Sequence, residues 1–190
     1  LAYSRSLGRP EYSSLNPGGA ISYEDGTAPG TFEGSVELGN AHLKPYRSEN
    51  LDASMEYYFA KGGLITLTGF AKFIKNPIFI ESFTQSDVSL GGRHYERLEF
   101  SQPLNGDSGH IIGIEAAYQQ QFTFLPGPLS GLGIELNVAL LDSELKAPGR
   151  EDTSFPNQSD YLYGAQLFYQ KGPIEASIAF HNTGKSLLSL

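Results

Sequence analysis

The stretch from His110 to Leu145 decides the fold. It reads Ile111-Ile112-Gly113-Ile114-Glu115-Ala116-Ala117-Tyr118-Gln119-Gln120-Gln121-Phe122-Thr123-Phe124, then Leu125-Pro126-Gly127-Pro128-Leu129-Ser130-Gly131, and resumes as Leu132-Gly133-Ile134-Glu135-Leu136-Asn137-Val138-Ala139-Leu140-Leu141. Side chains of a strand alternate between its two faces, so each face is read separately. In the first segment Ile112, Ile114, Ala116 and Tyr118 share one face, against Gly113, Glu115, Ala117 and Gln119. In the second, Leu132, Ile134, Leu136, Val138 and Leu140 oppose Gly133, Glu135, Asn137 and Ala139. These are two strands around a tight connection, apolar on one side and polar on the other. A soluble antiparallel sheet with one face on a core has this pattern. So does a membrane β-barrel with one face on lipid and one on a polar lumen. Alternation alone does not separate the two; the spacing of the connections does.

The remaining chain supplies that spacing. Leu1 to Ser6 reads as the end of a strand. Further strands lie at Arg47 to Ala60, Leu64 to Asn76, Asp160 to Gln170 and Ile174 to Asn182. Shorter extended pieces occur around Ile78–Phe83 and Arg97–Ser101. About seven strands alternate with connections of two kinds. Residues 7–46, 77–109 and 146–159 are long and polar, and read as loops. Residues 61–63, 125–131 and 171–173 are tight turns, where glycine takes up positive φ without steric cost. Outer-membrane barrels segregate long and short connections to opposite rims. Aromatic residues gather before each short turn, at Tyr57-Tyr58-Phe59, at Phe122 with Phe124, and at Phe168-Tyr169. Interfacial aromatic girdles occupy such positions.

Composition narrows the function. With 190 residues and no cysteine, the chain offers neither a disulfide framework nor a thiolate metal site. A net charge of −8 argues against nucleic acid as a partner, because phosphate contacts need clustered cations. No apolar run approaches the roughly 18 residues of a membrane helix, which leaves barrel strands of about 9–11 residues untouched. His42, His94, His110 and His181 lack ligand spacing. We expect no metal, no cofactor and no catalytic residue. Gly106-Asp107-Ser108-Gly109-His110 reads as a turn, since a working triad needs a positioned base and an oxyanion hole. Glu115 and Glu135 lie on polar faces of neighbouring strands and are expected near one another as part of a hydrated wall.

An ordered set of segments carries a family resemblance. Gly39-Asn40-Ala41-His42-Leu43-Lys44-Pro45-Tyr46-Arg47-Ser48-Glu49-Asn50-Leu51-Asp52 resembles a strand-entry segment of TonB-dependent outer-membrane receptors, with Ala41-His42 departing from the Asn-Pro-type residues usual there. Tyr57-Tyr58-Phe59 through Gly63, then Phe70-Ala71-Lys72-Phe73-Ile74-Lys75-Asn76-Pro77-Ile78, resembles the next segment of the barrel in that family. Gly113-Ile114-Glu115, Gln119 to Gly131 and Tyr3 to Pro10 resemble further strands. The resemblance covers nearly the whole chain in the right order and is nearest to the large receptors of Caulobacter- and Xanthomonas-like bacteria. It implies an all-β, antiparallel transmembrane barrel of the 22-stranded type, of which residues 1–190 are the later part within a single domain. The plug domain, the TonB box and the terminal strand have no counterpart in this chain, which ends Ser186-Leu187-Leu188-Ser189-Leu190. The natural protein is therefore expected to be longer. The implied activity is outer-membrane uptake of a scarce nutrient (ferric siderophore, cobalamin, haem or oligosaccharide). The implied partners are the TonB–ExbB–ExbD complex, outer-membrane lipid and the small-molecule nutrient.

Substrate contacts in such receptors come from outer loops and the upper lumen wall. Candidate binding residues are Tyr46, Arg47, Arg93, His94, Tyr95, Arg97 and Arg150 from loops, with Glu135, Asn137 and His181 from the wall. Two other readings compete. A small self-contained outer-membrane barrel with a structural or adhesive role would pair its first strand with its last. A soluble β-sandwich binding module would cover its apolar faces with a second sheet.

Overall fold

A computed structural model of the chain describes residues 1–59 and 61–187. Among these residues eleven strands succeed one another as β1 (Ala2–Gly8), β2 (Gly19–Asp25), β3 (Thr31–Leu38), β4 (Tyr46–Phe59), β5 (Gly63–Lys75), β6 (Ile78–Leu90), β7 (Arg93–Asn105), β8 (Ser108–Gln121), β9 (Leu132–Lys146), β10 (Tyr161–Lys171) and β11 (Ile174–Thr183). One turn of helix, α1 (Tyr12–Leu15), precedes β2, and a 3₁₀ turn over Gly127–Gly131 joins β8 to β9. The expected strand end at Ala60 and the terminal residues Leu188-Ser189-Leu190 lie outside the described residues.

Seven strands form one antiparallel sheet in the order β1-β4-β5-β8-β9-β10-β11. This wall contains the seven strands read from alternation, with their ends moved by a few residues. Its longest ladders run Arg47↔Lys75 to Phe59↔Gly63, and Ser108↔Lys146 to Gln121↔Gly133. Gly62 and Gly172 take positive φ (78° and 59°) in two of the short turns, as a two-residue reversal requires. The edge strands β1 and β11 do not pair with each other among the described residues. Closure of the wall on itself, which a small self-contained barrel needs, is thus not present.

The connections 7–46 and 77–109 are not loops. They fold into a second sheet of four strands, ordered β2-β3-β7-β6. β6 and β7 are each 13 residues long, where the sequence suggests only short extended pieces. β3 lies parallel to β7, so two connections that leave the wall at different points join in one sheet. Period-two patterning is present in β3, where Phe32, Val36 and Leu38 share a face with Gly34. Glycine, serine and glutamate dilute it below recognition.

The buried core lies in and beneath this sheet. Val36, Tyr95 and Leu98 are buried, with Phe32, Leu38, Val88, Leu90 and Phe100 packed against them. A second cluster of Phe79, Leu145 and Ala147, joined by Leu104 and Phe155, fills the junction between the four-stranded sheet and the top of the wall. Asn105 locks the junction: its amide donates to the carbonyls of Lys44 and Asn76 (both 3.0 Å) and accepts from the Lys44 N–H (2.8 Å).

Glu96 holds the tip of the β2–β3 hairpin. The β3–β7 register slips between Phe32 and Glu33, so Tyr95 faces Phe32 and Arg97 faces Glu33. The extra residue of a bulge is free to aim its side chain elsewhere. Its carboxylate accepts from the Thr27 hydroxyl (2.6 Å) and N–H (3.2 Å), the Ala28 N–H (2.7 Å) and the Thr31 hydroxyl (2.5 Å). Those bonds, the Thr27 hydroxyl foremost, hold the carboxyl down from 4.5 to about 2. A depressed carboxyl stabilises the clamped form fully above its free value. That contribution declines as pH falls below 4.5 and is lost through about 2. Amide exchange at Thr27 and Ala28 should therefore stay equally protected at pH 7 and pH 5. In Glu96→Gln both amides should exchange several-fold faster at either pH. Equal protection in the variant would show that the carboxylate does not hold the hairpin.

Candidate functional site: the two faces of the wall and the sheet above it

Directly paired residues of an antiparallel sheet lie on the same face, so the register assigns each wall residue a side. One side carries Leu51, Met55, Ile65, Leu67, Ile112, Ile114, Leu136, Val138, Leu140, Leu167, Ile178 and Phe180. Nothing among the described residues covers it: Ile114 is 48 % exposed, Leu140 53 % and Ile178 73 %. A soluble sandwich would bury this face against a second sheet, and the four-stranded sheet does not lie over it. Isolated exposed apolar residues are ordinary, whereas a continuous face across seven strands marks a surface with an apolar partner.

The dimensions of the face fit a bilayer. On β5 the apolar run extends from Ile65 to Phe73. Its eight residue-to-residue steps at about 3.4 Å each span roughly 27 Å. With the tilt of about 35–45° usual in barrels, this becomes a band about 20 Å tall. Aromatic rings border it near the short turns, where Phe59 stacks on Tyr118 (5.9 Å) and on Tyr57 (6.1 Å). On β10 and β11 a further cluster shares this side, with Tyr163 6.0 Å from Tyr161 and 6.2 Å from Phe180. The girdle expected from the sequence takes only alternate members: Tyr57, Phe59 and Tyr169 lie on the apolar side. Tyr58 and Phe168 point to the polar side, and Phe122 and Phe124 lie beyond β8 in the connection.

The opposite side is a polar wall. Glu135 faces Gln119 on one neighbour and Gln166 on the other. Asn137 and His181 both flank Gly164, so the three wall candidates lie on one face, Asn137 and His181 at one level. Toward the short turns, Gln119, Gln121, Glu135, Gln166, Gln170 and Glu175 line a concavity of ≈ 270 Å³. Sequence reasoning singled out only Glu135 from this group, although the period-two face of β8 already places Gln119 and Gln121 beside it. The expected approach of Glu115 to Glu135 does not occur. Glu115 faces Ala139 while Glu135 faces Gln119, a stagger of four residues or about 13 Å along the strand. Two glycines of this face are required by rings above them. A Cβ on Gly113 would stand 2.5 Å from Phe70 Cζ, and one on Gly133 2.1 Å from Phe168 Cζ. Ring-over-glycine pairs of this kind pin strand register.

The loop candidates scatter. Tyr46 is on the polar face, its ring over Gly8. Arg47, the next residue, is on the apolar side opposite Lys75 and is directed away from the polar wall. Arg93, at the β6–β7 tip, stacks on Tyr23 (4.4 Å) and Phe32 (5.7 Å), two aromatic partners that sequence reasoning left in a loop. His94 Nε2 lies 3.2 Å from Asp87. Tyr95 is 1 % exposed and belongs to the core, so it has no surface to offer a ligand. Arg97 lines a shallow polar concavity with Glu24, Glu33 and Glu99. Arg150 is engaged with Glu81 at 2.6 Å. Ser108 and His110 share a side, and His110 Nε2 is 3.6 Å from Asp142.

The family profile described as "TonB dependent receptor-like, beta-barrel" matches residues 1–186. No curated protein matches the sequence. Among solved structures, a double mutant of the ferric enterobactin receptor of Pseudomonas aeruginosa superposes with a TM-score of 0.58 at 18 % identity, covering 97 % of this chain and 25 % of that one. A complex of a mutant of the same receptor with enterobactin gives 0.53 at 20 %, covering 90 % and 23 %. The siderophore receptor PirA of Acinetobacter baumannii gives 0.50 at 14 %, covering 86 % and 25 %. The chain thus spans about a quarter of the length of these receptors.

The two faces should respond oppositely to charge. Ile114→Arg places a cation midway along the apolar side, where arginine costs about 2–4 kcal/mol in a bilayer-embedded barrel. Glu115→Gln, on the polar side of the same strand, should change stability by no more than about 0.5 kcal/mol. Urea unfolding of the natural protein in lipid vesicles measures both. A silent Ile114→Arg would mean that this side does not face lipid.

Proposed function

This chain belongs to the TonB-dependent receptor β-barrel family, and from that premise we propose that it is one stretch of the barrel wall of an outer-membrane transporter of a scarce nutrient. The observation that carries the reading is the wall itself: seven antiparallel strands with one uncovered apolar face and one polar face. In this reading the apolar side meets outer-membrane lipid and the polar side lines the lumen. Residues 1–190 are part of a single barrel domain, and a plug domain and further strands lie elsewhere in the natural protein. Transport is binding followed by gated passage driven by the TonB–ExbB–ExbD complex, engaged through those other parts. A ferric siderophore is the first cargo to test, because the structures it resembles are siderophore receptors.

Nutrient contacts are assigned to two places. Above the wall, the exposed residues Arg93 and Arg97 of the four-stranded sheet supply cations suited to an anionic chelate, and His94 and the Glu81-paired Arg150 add polar groups beside them. On the wall, Tyr46, Glu135, Asn137 and His181 line the route inward. Arg47 and Tyr95 are not assigned to this path, since one faces the lipid side and the other is buried.

Cells grown under iron limitation should hold the natural protein in the outer-membrane fraction, at a mass far above 20.7 kDa. Uptake of at least one radio-iron-labelled siderophore should disappear on gene deletion and on collapse of the proton gradient. A soluble protein of about this chain's mass would overturn the membrane reading. Membrane residence with undiminished uptake of every siderophore tried would overturn the choice of cargo.

A further inference from the structure

Above the apolar belt, on the same side, the wall carries a charged rim. Reading across the strands, Arg5 faces Glu49, Glu49 faces Phe73, Phe73 faces His110 and His110 faces Glu144. One step nearer the long connections, Arg47 faces Lys75, Lys75 faces Ser108 and Ser108 faces Lys146. Arg47, Glu49, Phe73, Lys75, His110 and Lys146 border a cleft of ≈ 350 Å³ at this level.

The acids of the rim are already matched. Glu49 pairs with Arg5 at 2.9 Å. Glu144 and Asp152 share Lys146 at 3.2 and 3.3 Å, and Asp142 lies 3.6 Å from His110. Arg47 and Lys75 are exposed and make no ion pair among the described residues. They are nonetheless direct cross-strand neighbours, an arrangement of like charges that destabilises a sheet. An anion between them removes that penalty. Their height selects the anion. Phe73, 47 % exposed, is the last apolar residue of β5 on this side, and Lys75 comes two residues later. That step is about 7 Å. A lipid whose chains cover Phe73 and the belt below it therefore carries its headgroup to Arg47 and Lys75. The rim lies at the long-connection end, which is the outer leaflet in the transporter reading.

We infer that Arg47 and Lys75, with Ser108 and Lys146 beside them, form an outward-facing docking site for the phosphorylated headgroup of an outer-leaflet lipid. Guanidinium and ammonium groups bind phosphate through charge-assisted hydrogen bonds, and basic residues at a membrane surface hold anionic lipid additively. This role differs from nutrient binding, since the site lies on the opposite side of the wall from the lumen. It rests on the membrane placement proposed above.

The test uses the natural full-length protein in nanodiscs of zwitterionic phospholipid, titrated with a phosphorylated outer-membrane glycolipid and followed by native mass spectrometry. The wild type should bind the glycolipid with saturation. Arg47→Gln/Lys75→Gln should weaken binding about thirtyfold and Lys75→Gln alone about fivefold, and Lys75→Arg should bind like the wild type. The single variants sit at an exposed strand end, and their folded state is read from heat-modifiable migration on gels. Unchanged affinity in a folded Lys75→Gln variant overturns the site. Competition by inorganic phosphate at equal concentration overturns the lipid as the ligand. A wild type that enters nanodiscs yet shows no preference for the glycolipid overturns this inference alone. A wild type that does not enter them overturns the membrane reading as well.

Discussion

Backbone hydrogen bonding inside an apolar medium is the constraint on which the structure depends. Among the described residues the wall has no core of its own: its apolar side is bare, and the buried clusters lie in or beneath the four-stranded sheet. In water such a sheet loses the main driving force of folding. In lipid that face is satisfied, but every N–H and C=O must then find a partner within the sheet. Long, uninterrupted ladders such as β4–β5 and β8–β9 meet that demand. The free edges of β1 and β11 do not, so each needs another strand beside it. The same constraint explains the strict alternation. A polar residue displaced by one position would move from the lumen side into hydrocarbon, which gives register a large energetic consequence.

The wall was legible in the sequence because its selection is one-dimensional. Each of Ile65, Leu67, Phe73, Ile112 and Ile114 reports its face from its own position alone, and a period of two survives without knowledge of any partner. The four-stranded sheet was not legible for the opposite reason. β2 and β3 are short and rich in glycine, serine and glutamate. β2 stays exposed along its length, and the burial of β3 comes from Tyr95 and Leu98, more than fifty residues later in the chain. A residue whose environment is made by a distant strand carries no local sign of it. Hence Tyr95 read as a loop aromatic and is a core residue, and Tyr23 and Phe32 went unnoticed as the platform for Arg93.

The candidate site divides along the same line. That Tyr46 and Arg47 face opposite ways comes from adjacency in a strand and was there to be read. That Glu115 and Glu135 are staggered depends on the β8–β9 register, which the length of the connection does not specify. It follows from how the connection through the 3₁₀ turn over Gly127–Gly131 closes, with Gln121 opposite Gly133. The bulge at Glu96 belongs to the same class: its consequence, four hydrogen bonds to a hairpin tip, appears only once β3 and β7 are side by side.

The parallel pairing of β3 with β7 also orders assembly in time. Neighbouring wall strands such as β4 and β5 close through short turns, so their ladders zip up locally. Glu33 meets Arg97 only after the chain has run up and down the wall through β4 and β5 and out again through β6. Contacts of such sequence separation form slowly, because loop-closure entropy must be met before any of their stabilisation is realised. The four-stranded sheet is therefore a late structure: it seals two separate connections together only after the strands beneath them have found their register. A chain arrested before that step has a competent wall and an open roof.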